Sequence, residues 1–131
     1  MKKRDRILII GGCGYLGSRL YGFLKKKSYR VDTLDLEWFG NFVNPDNIKK
    51  NYSRLSQEEL KKFSIIILLA GHSSIPMSEK SMFSTFNNNV VNFVRLLDKI
   101  TTQKLIYASS ASVYGNTYEF QAAEDYDKYS P

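Results

Sequence analysis

The fold of this chain is decided by residues 7–17, which read ILIIGGCGYLG. The aliphatic run has the length of a buried strand, and the glycines that follow it are spaced G-x-x-G-x-x-G. After the glycines, apolar residues recur at helical intervals, at Leu16, Leu20, Phe23 and Leu24. The segment therefore predicts a strand, a tight turn and a helix.

A glycine turn that leads into a helix is suited to binding a phosphate group. Positions without a side chain let the backbone turn sharply and approach a ligand closely. The first N–H groups of the helix have no partner within it and carry a partial positive charge. A pyrophosphate is the natural occupant of the turn formed by Gly11, Gly14 and Gly17.

Length and composition indicate one globular domain. The 131 residues, of which 43% are hydrophobic, are enough to bury roughly two-thirds of the surface of the unfolded chain. No apolar run approaches the ~20 residues of a membrane span, and the N-terminus leads directly into the first strand without a signal peptide. We expect a single domain over residues 1–131, located in the cytoplasm and not associated with a membrane.

Cysteine count and charge exclude other classes. Cys13 is the only cysteine and the chain has one histidine, so we predict no disulfide and no metal site. The net charge of +6 could attract nucleic acid. However, the basic residues lie in short clusters at predicted element ends without interleaved stacking aromatics, so we expect a solvated surface and no nucleic-acid partner.

A second strand is predicted over Tyr29–Asp35, and it ends on an acid 18 positions beyond Gly17. This is the expected place of a ribose-binding carboxylate. A carboxylate accepts hydrogen bonds from a ribose 2′-hydroxyl and repels a 2′-phosphate, so Asp35 predicts NAD rather than NADP. The alternative is an acid at the strand end that faces solvent.

Further elements follow in an order typical of an α/β domain. Leu36–Asp46 has no periodicity and is predicted to be a long loop, and Ile48–Tyr52 a short third strand. Ser56–Lys62 begins with capping-box spacing and is predicted to be a short helix. Ile65–Leu69 is uniformly aliphatic, as in a parallel strand buried on both faces, and Lys104–Tyr107 is predicted to be a further strand.

Small and polar residues, Ala70 to Ser74, interrupt the fourth strand at its carboxyl end, where open α/β sheets bind ligands. His72 in this segment could contact a ligand or transfer a proton. The alternative is a loop histidine with neither role.

The longest helical pattern runs over residues 78–100. Its apolar residues recur at three- and four-residue steps, at Phe83, Phe86, Val90, Phe93, Val94 and Leu97. We expect this face to cover the sheet, with Met82 and Val91 widening it toward a partner. Asn87–Asn89 has poor helix propensity, so at least one of these side chains is expected to form a specific hydrogen bond.

This order of elements predicts a three-layer α/β fold with a Rossmann-type parallel sheet of order 3-2-1-4-5. At this point the chain resembles the extended short-chain dehydrogenase/reductases, the NAD-dependent epimerase/dehydratase family. The matching pieces are Gly11–Gly17, Asp35, Leu69-Ala70-Gly71, Asn89-Val90-Val91 and the Ser-Ser-Ala-Ser-Val-Tyr-Gly segment at residues 109–115.

The resemblance implies roles for individual residues. Ser110 matches the catalytic residue that hydrogen-bonds the substrate hydroxyl or carbonyl undergoing hydride transfer. The resemblance places the pyrophosphate at Tyr15 and Leu16, and it places the rest of the cofactor along Leu69, Ala70, Gly71 and Asn89. The alternatives are core packing for Leu69 and turn formation for Ser109 and Ser112.

Two departures from the family pattern stand out. Members commonly carry an acid after the third strand that binds the adenine amino group, whereas here the segment is Asn51-Tyr52-Ser53-Arg54, with Tyr52 or Ser53 as candidate substitutes. Members also need a Y-x-x-x-K pair for proton transfer. We expect the chain to lack this pair, residues 116–131 to be an irregular tail, and the domain to be truncated, with the C-terminal substrate domain absent.

We therefore expect the NAD-binding portion of a nucleotide-sugar epimerase, dehydratase or reductase, inactive as 131 residues, with the sugar nucleotide bound by a full-length parent. The alternative is a non-catalytic dinucleotide-binding or interaction module. The resemblance also implies a homodimer formed through the helix at residues 78–100.

Overall fold

The computed structural model describes residues 5–43, 47–110 and 114, and its centre is a five-stranded parallel sheet. The strands are β1 (Arg6–Ile10), β2 (Arg30–Asp35), β3 (Asn47–Lys49), β4 (Ile65–Leu68) and β5 (Lys104–Tyr107). Their order is β3-β2-β1-β4-β5. The predicted α/β class and strand order are confirmed.

The described helices connect and cover these strands. They are α1 (Tyr15–Lys26), α2 (Gln57–Leu60), α3 (Ile75–Lys80), α4 (Met82–Phe86) and α5 (Asn92–Leu97), with a 3₁₀ turn at Tyr52–Arg54 and a π-helical turn at Asn87–Val91 between α4 and α5. None of the helices in these ranges is long and apolar enough to cross a bilayer. The predicted tail over residues 116–131 lies outside the described residues.

Strand β1 separates two hydrophobic cores. Ile7 and Ile9 belong to the core that includes Leu24 of α1, whereas Leu8 and Ile10 belong to the core that includes Leu96 of α5. Alternate residues of one strand therefore pack against opposite helical layers. This explains why Ile7–Ile10 of β1 and all of β4 are aliphatic: both faces of a central parallel strand are covered.

The predicted capping box is present at the start of α2. Ser56 Oγ accepts a hydrogen bond from the Glu59 backbone N–H at 3.1 Å, and Glu59 Oε2 accepts one from the Ser56 N–H at 2.8 Å. The helix ends at Leu60, two residues before the predicted end.

The prediction of one helix over residues 78–100 is wrong. Ser81 has extended backbone angles that end α3, and its hydroxyl accepts a hydrogen bond from the Ser84 N–H at 3.3 Å to begin α4. The π-helical turn then adds residues to one turn and shifts the phase of the helix. A regular three- and four-residue spacing therefore does not identify the buried face.

The apolar face predicted to cover the sheet is largely exposed. Phe83 is 81% exposed, and the rest of the exposed set is Met82, Phe86, Val90, Val94 and Leu97. The buried positions of this segment are instead Asn92 and Leu96. In α1, similarly, Leu24 is buried whereas Leu16 and Phe23 are exposed.

Candidate functional site

A cleft of about 910 Å³ opens at the carboxyl ends of β1, β2, β4 and β5. The structure brings every site residue predicted from the sequence to its lining, namely Gly11, Gly14, Tyr15, Leu16, Gly17, Asp35, Leu69, Ala70, Gly71, Asn89 and Ser110. Within the described ranges, no group of three or more His, Cys, Asp and Glu side chains is placed to hold a metal ion.

Two of the three glycines of the G-x-x-G-x-x-G motif, Gly11 and Gly17, are required by packing, as is the neighbouring Gly12, where a Cβ would lie 2.4 Å from the Thr33 Cβ. Gly11 has φ +90°, and a Cβ there would lie 2.6 Å from the backbone nitrogen of Ala70. A Cβ at Gly17 would overlap the carbonyl oxygen of Gly11. The turn and the start of α1 therefore pack backbone against backbone, which no larger residue permits.

Gly14 differs from these two glycines. It has an ordinary extended conformation, and a Cβ there would meet only the carbonyl oxygen of Gly11, at 3.4 Å. Gly14 is also the N-cap of α1, where no capping side-chain hydrogen bond forms and the first turn carries no acid. The fold leaves the space at Gly14 and the N-terminus of α1 open toward the cleft.

The Asp35 carboxylate lies against the glycine turn. Its Oδ2 accepts a hydrogen bond from the Cys13 backbone N–H at 3.0 Å, and its Oδ1 accepts one from the Glu37 N–H at 2.7 Å. An ionised carboxylate offers about four acceptor positions, so these bonds orient it and leave capacity for hydroxyl groups in the cleft. This geometry fits the predicted ribose contact.

Glu37 organises the loop after β2, a role that the sequence does not predict. Its φ is +59°, and its Oε1 accepts hydrogen bonds from Asn41 Nδ2 at 2.8 Å and Asn47 Nδ2 at 2.9 Å. Lys49 Nζ lies 3.0 Å from its Oε2. The hydrogen bond from Asn47, followed by that from Lys49, lowers the pKa of Glu37. The cluster joins an irregular loop to the start of β3, so no periodic pattern in the sequence indicates it.

Cys13 faces the same loop. Its thiol is buried and lies 3.5 Å from Asn41 Oδ1. Burial, followed by the nearby Asp35 carboxylate, raises the pKa of this thiol. The geometry is that of a packed, protonated cysteine.

Asn89 holds the loop that follows β4. Its Oδ1 accepts a hydrogen bond from the His72 backbone N–H at 2.8 Å, and its Nδ2 donates one to the His72 carbonyl at 2.9 Å. This confirms the expectation that one of the three asparagines forms a specific hydrogen bond. The π-helical turn thus carries a positioning residue for the cleft wall formed by Leu69, Ala70 and Gly71.

The His72 side chain is also held from two sides. Its Nδ1 lies 2.9 Å from Thr85 Oγ1, and the Trp38 ring meets the imidazole in an edge geometry with centroids 5.2 Å apart. Its Nε2 is buried and has no hydrogen-bond partner among the residues that the structure describes.

Of the two candidate substitutes for the adenine-binding acid, Tyr52 has its hydroxyl bonded to the protein, and Ser53 does not line the cleft. The Tyr52 hydroxyl donates a hydrogen bond to the Asn88 carbonyl at 2.7 Å, and the Ser53 carbonyl accepts one from Lys99 Nζ at 2.7 Å. Burial, with a smaller effect of Tyr107, raises the pKa of Tyr52 to about 12. Asn51, which lines the cleft, uses its Oδ1 to accept the Ser53 N–H at 2.9 Å.

Ser110 follows β5 and lines the cleft, whereas Ser112 lies outside the described residues.

The expectation that the sequence has no Y-x-x-x-K spacing is wrong, because Tyr21 and Lys25 have it. These residues belong to α1, where Lys25 Nζ lies 5.5 Å from the centroid of the Tyr21 ring, and neither lines the cleft. The spacing in α1 is therefore not the pair that the family places after its serine motif.

A parallel sheet of this order, with a glycine turn between β1 and α1 and an acid at the end of β2, defines a Rossmann-type nucleotide-binding domain. The chain belongs to the NAD dependent epimerase/dehydratase family, whose model matches residues 7–131.

Individual relatives agree with this assignment. The chain is 29% identical to a UDP-glucose 4-epimerase of Lactobacillus helveticus over 92% of its own length and 40% of that protein. Among solved structures, it is similar to TunA, an NAD-dependent NDP-hexosamine 5,6-dehydratase of tunicamycin biosynthesis, at 28% identity and a TM-score of 0.75, covering 93% of this chain and 42% of TunA.

A UDP-glucose 4-epimerase from Brucella ovis in complex with NAD matches at 25% identity and a TM-score of 0.79, over 92% of this chain and 40% of that one. The chain thus spans about 40% of the length of these relatives.

Proposed function

We propose that this chain is the NAD-binding portion of a nucleotide-sugar epimerase, dehydratase or reductase. The observation that carries the proposal is Gly14, which faces open space in the cleft although the packing of the fold does not require a glycine there. The relatives named above include an epimerase solved with NAD and a dehydratase described as NAD dependent.

Each wall of the cleft has a proposed role in holding the cofactor. The glycine turn and the N-terminus of α1 bind the pyrophosphate, where backbone N–H groups and the helix dipole favour negative charge. Asp35 accepts the hydroxyl groups of the adenosine ribose and disfavours a 2′-phosphate. The backbone of Leu69, Ala70 and Gly71 borders the cofactor, and Asn89 fixes that wall through the backbone of His72.

Ser110 is the proposed catalytic residue. When bound, NAD supplies the hydride acceptor for oxidation of a sugar carbon. The Ser110 hydroxyl would hydrogen-bond the sugar oxygen whose proton is removed in that oxidation, and it lies at the carboxyl end of β5 on the cleft lining. The Y-x-x-x-K spacing of Tyr21 and Lys25 lies in α1, and neither residue is among the described lining of the cleft.

The test has two parts. Calorimetric titration of the 131-residue chain should detect NAD binding and weaker NADP binding. Incubation of the chain with NAD and UDP-, GDP- or TDP-sugars should give no product, and measurable turnover would contradict the proposed inactivity of these 131 residues. Absence of NAD binding at millimolar concentration would favour an interaction module without a cofactor.

We also propose that the exposed apolar face of α4, the π-helical turn and α5 is the surface of a homodimer. Six large apolar side chains are exposed within residues 82–97, which is unusual for a solvated helical face. Light scattering after size exclusion should show a dimer that Phe83→Glu dissociates. Phe23→Glu, at an exposed position of α1, is the matched control and should leave the mass unchanged.

A further inference from the structure

We propose that His72 is a ligand-binding residue, whose Nε2 donates a hydrogen bond to an oxygen of the diphosphate or of the distal ribose of a dinucleotide, and that the ligand displaces Trp38 from His72. This inference rests on the proposed function, since it assumes that the cleft binds a dinucleotide. It adds a contact that the glycine turn and Asp35 do not supply.

Hydrogen bonds with Asn89 and Thr85 fix the position and orientation of the His72 imidazole. Asn89 forms two hydrogen bonds with the backbone of His72, at 2.8 and 2.9 Å, which fixes where the side chain starts. Thr85 Oγ1 lies 2.9 Å from Nδ1 and fixes the rotation of the ring. When the threonine hydroxyl donates to Nδ1, the proton of the neutral imidazole is on Nε2, so Nε2 is the donor.

The Nε2 atom of His72 lacks a hydrogen-bond partner among the described residues, whereas the backbone groups and Nδ1 of His72 each have one. It is also buried. Burying a polar atom without a partner is unfavourable, and such atoms are rare in folded proteins. A ligand oxygen in the cleft, which His72 lines, would satisfy it.

The position of His72, after β4 at the carboxyl edge of the sheet, indicates which part of the ligand it contacts. The glycine turn follows β1, which lies between β2 and β4. Asp35 at the end of β2 is on one side of the turn, and His72 after β4 is on the other. If Asp35 binds the adenosine ribose, His72 faces the diphosphate or the ribose beyond it.

The charges of the cleft favour an additional donor on this side. Lys50 is the one Lys or Arg among the described lining residues, and it lies 2.7 Å from Glu59 Oε1 in an ion pair. A diphosphate would therefore depend on backbone N–H groups and neutral donors. His72 Nε2 is a donor of this kind in the tautomer in which the Thr85 hydroxyl donates to Nδ1.

Trp38 connects the two sides of the cleft. It belongs to the loop after β2, yet its ring contacts His72 after β4, so the contact spans the turn at the end of β1. Trp38 is 56% exposed, so displacing its ring from His72 would not disturb the buried core. Trp38 is the only tryptophan of the chain, so tryptophan fluorescence reports on this contact alone.

Calorimetry on the 131-residue chain tests the His72 contact. His72→Ala should weaken ADP-ribose binding by about tenfold or more, the usual effect of losing a hydrogen bond to a charged group. AMP binding should be unchanged. An equal loss for ADP assigns the contact to the diphosphate, and a loss for ADP-ribose alone assigns it to the distal ribose. His72→Gln, which keeps a donor, should restore part of the affinity.

Fluorescence tests the displacement of Trp38. Excitation at the tryptophan band during titration with ADP-ribose should change the emission with the dissociation constant that calorimetry gives, whereas AMP should leave it unchanged. Trp38→Ala should bind ADP-ribose at least as tightly as the parent chain. Weaker binding, or an unchanged emission at saturation, would overturn the displacement.

Failure of this inference is distinguishable from failure of the proposed function. If the unmodified chain binds none of the nucleotides, the proposed function fails. If the chain binds ADP-ribose and a folded His72→Ala variant, verified by circular dichroism, binds it equally well, the inference is wrong and the proposed function stands.

Discussion

The hydroxyl of Tyr52 donates a 2.7 Å hydrogen bond to the backbone carbonyl of Asn88, 36 residues further along the chain. The tyrosine belongs to the 3₁₀ turn after β3, and Asn88 belongs to the π-helical turn. A π-helical turn leaves carbonyl groups without their usual helical partners. Tyr52 therefore stabilises the irregular turn from which Asn89 reaches the cleft.

Tyr52→Phe should lower the free energy of unfolding by about 1 kcal/mol, the usual net contribution of one hydrogen bond. Urea denaturation measures this change. Tyr15→Phe, at an exposed position, is the control and should leave the unfolding midpoint unchanged. Equal stability of the Tyr52→Phe variant and the parent chain would show that the π-helical turn does not need this bond.

The same tyrosine should make stability sensitive to alkaline pH. Its pKa is raised from 10 to about 12, so the folded state favours the neutral phenol. This contribution is complete below pH 10 and is lost as the pH rises from 10 toward 12. Urea midpoints across that range should fall less steeply for Tyr52→Phe than for the parent chain, and parallel curves would contradict the assignment.

Gly14→Val should abolish NAD binding while the domain still folds, because its side chain would enter the cleft rather than the protein. Gly17→Val should prevent folding, since its Cβ overlaps the Gly11 carbonyl. Gly22→Ala in α1, where a Cβ meets nothing within 4 Å, should raise stability by about 1 kcal/mol and leave binding intact. Calorimetry and circular dichroism separate the three outcomes.

Asp35→Ala should weaken NAD binding by about tenfold and improve the relative binding of NADP. It should also lower the free energy of unfolding by about 1–3 kcal/mol, because the N–H groups of Cys13 and Glu37 lose their acceptor. Asp35→Asn removes the charge but keeps one of the two oxygen acceptors, so it should lose less stability than Asp35→Ala while showing the same shift toward NADP. An NAD to NADP ratio that is unchanged in both variants would remove Asp35 from the ribose site.

Glu59 should make stability sensitive to acid. The hydrogen bond from Lys50, followed by that from the Ser56 N–H, lowers the pKa of Glu59 from 4.5 to about 2. Its contribution is present above pH 4.5 and is lost as the pH falls toward 2. Thermal unfolding at pH 7, 4 and 2.5 should show a smaller acid dependence for Glu59→Gln than for Glu58→Gln, the exposed neighbour that serves as control.

Local patterns in the sequence are sufficient for the strand order and for the walls of the cleft, but the third strand, predicted over Ile48–Tyr52, runs over Asn47–Lys49 and is followed by a 3₁₀ turn at Tyr52–Arg54. Aliphatic runs in β1 and β4 identify central strands, and the carboxyl ends of parallel strands meet at one edge, so Asp35, Ala70 and Ser110 converge there. The Ser56 and Glu59 capping box was identified because it is a contact between close neighbours in the sequence.

The features that the sequence does not predict have a common physical cause. They depend on contacts between separate segments of the chain. The break at Ser81 and the π-helical turn change the phase of the helical pattern over residues 78–100, so its regular spacing wrongly predicts that the face containing Phe83 is buried. The Glu37 cluster and the contact of Trp38 with His72 join loops that no periodicity connects. Such irregular, polar contacts surround the cleft, where the fold departs most from regular structure.

Because the space at Gly14 is open, the residue at this position should indicate whether a relative of the chain still binds a nucleotide. Ser, Asp or Asn at a helix N-cap stabilises the helix at least as well as glycine does. A descendant that kept the domain but no longer needed a nucleotide could replace Gly14 without harm, whereas Gly11 and Gly17 would still be held by packing. In relatives that no longer bind a nucleotide, we therefore expect substitutions to accumulate at residue 14 before residues 11 and 17.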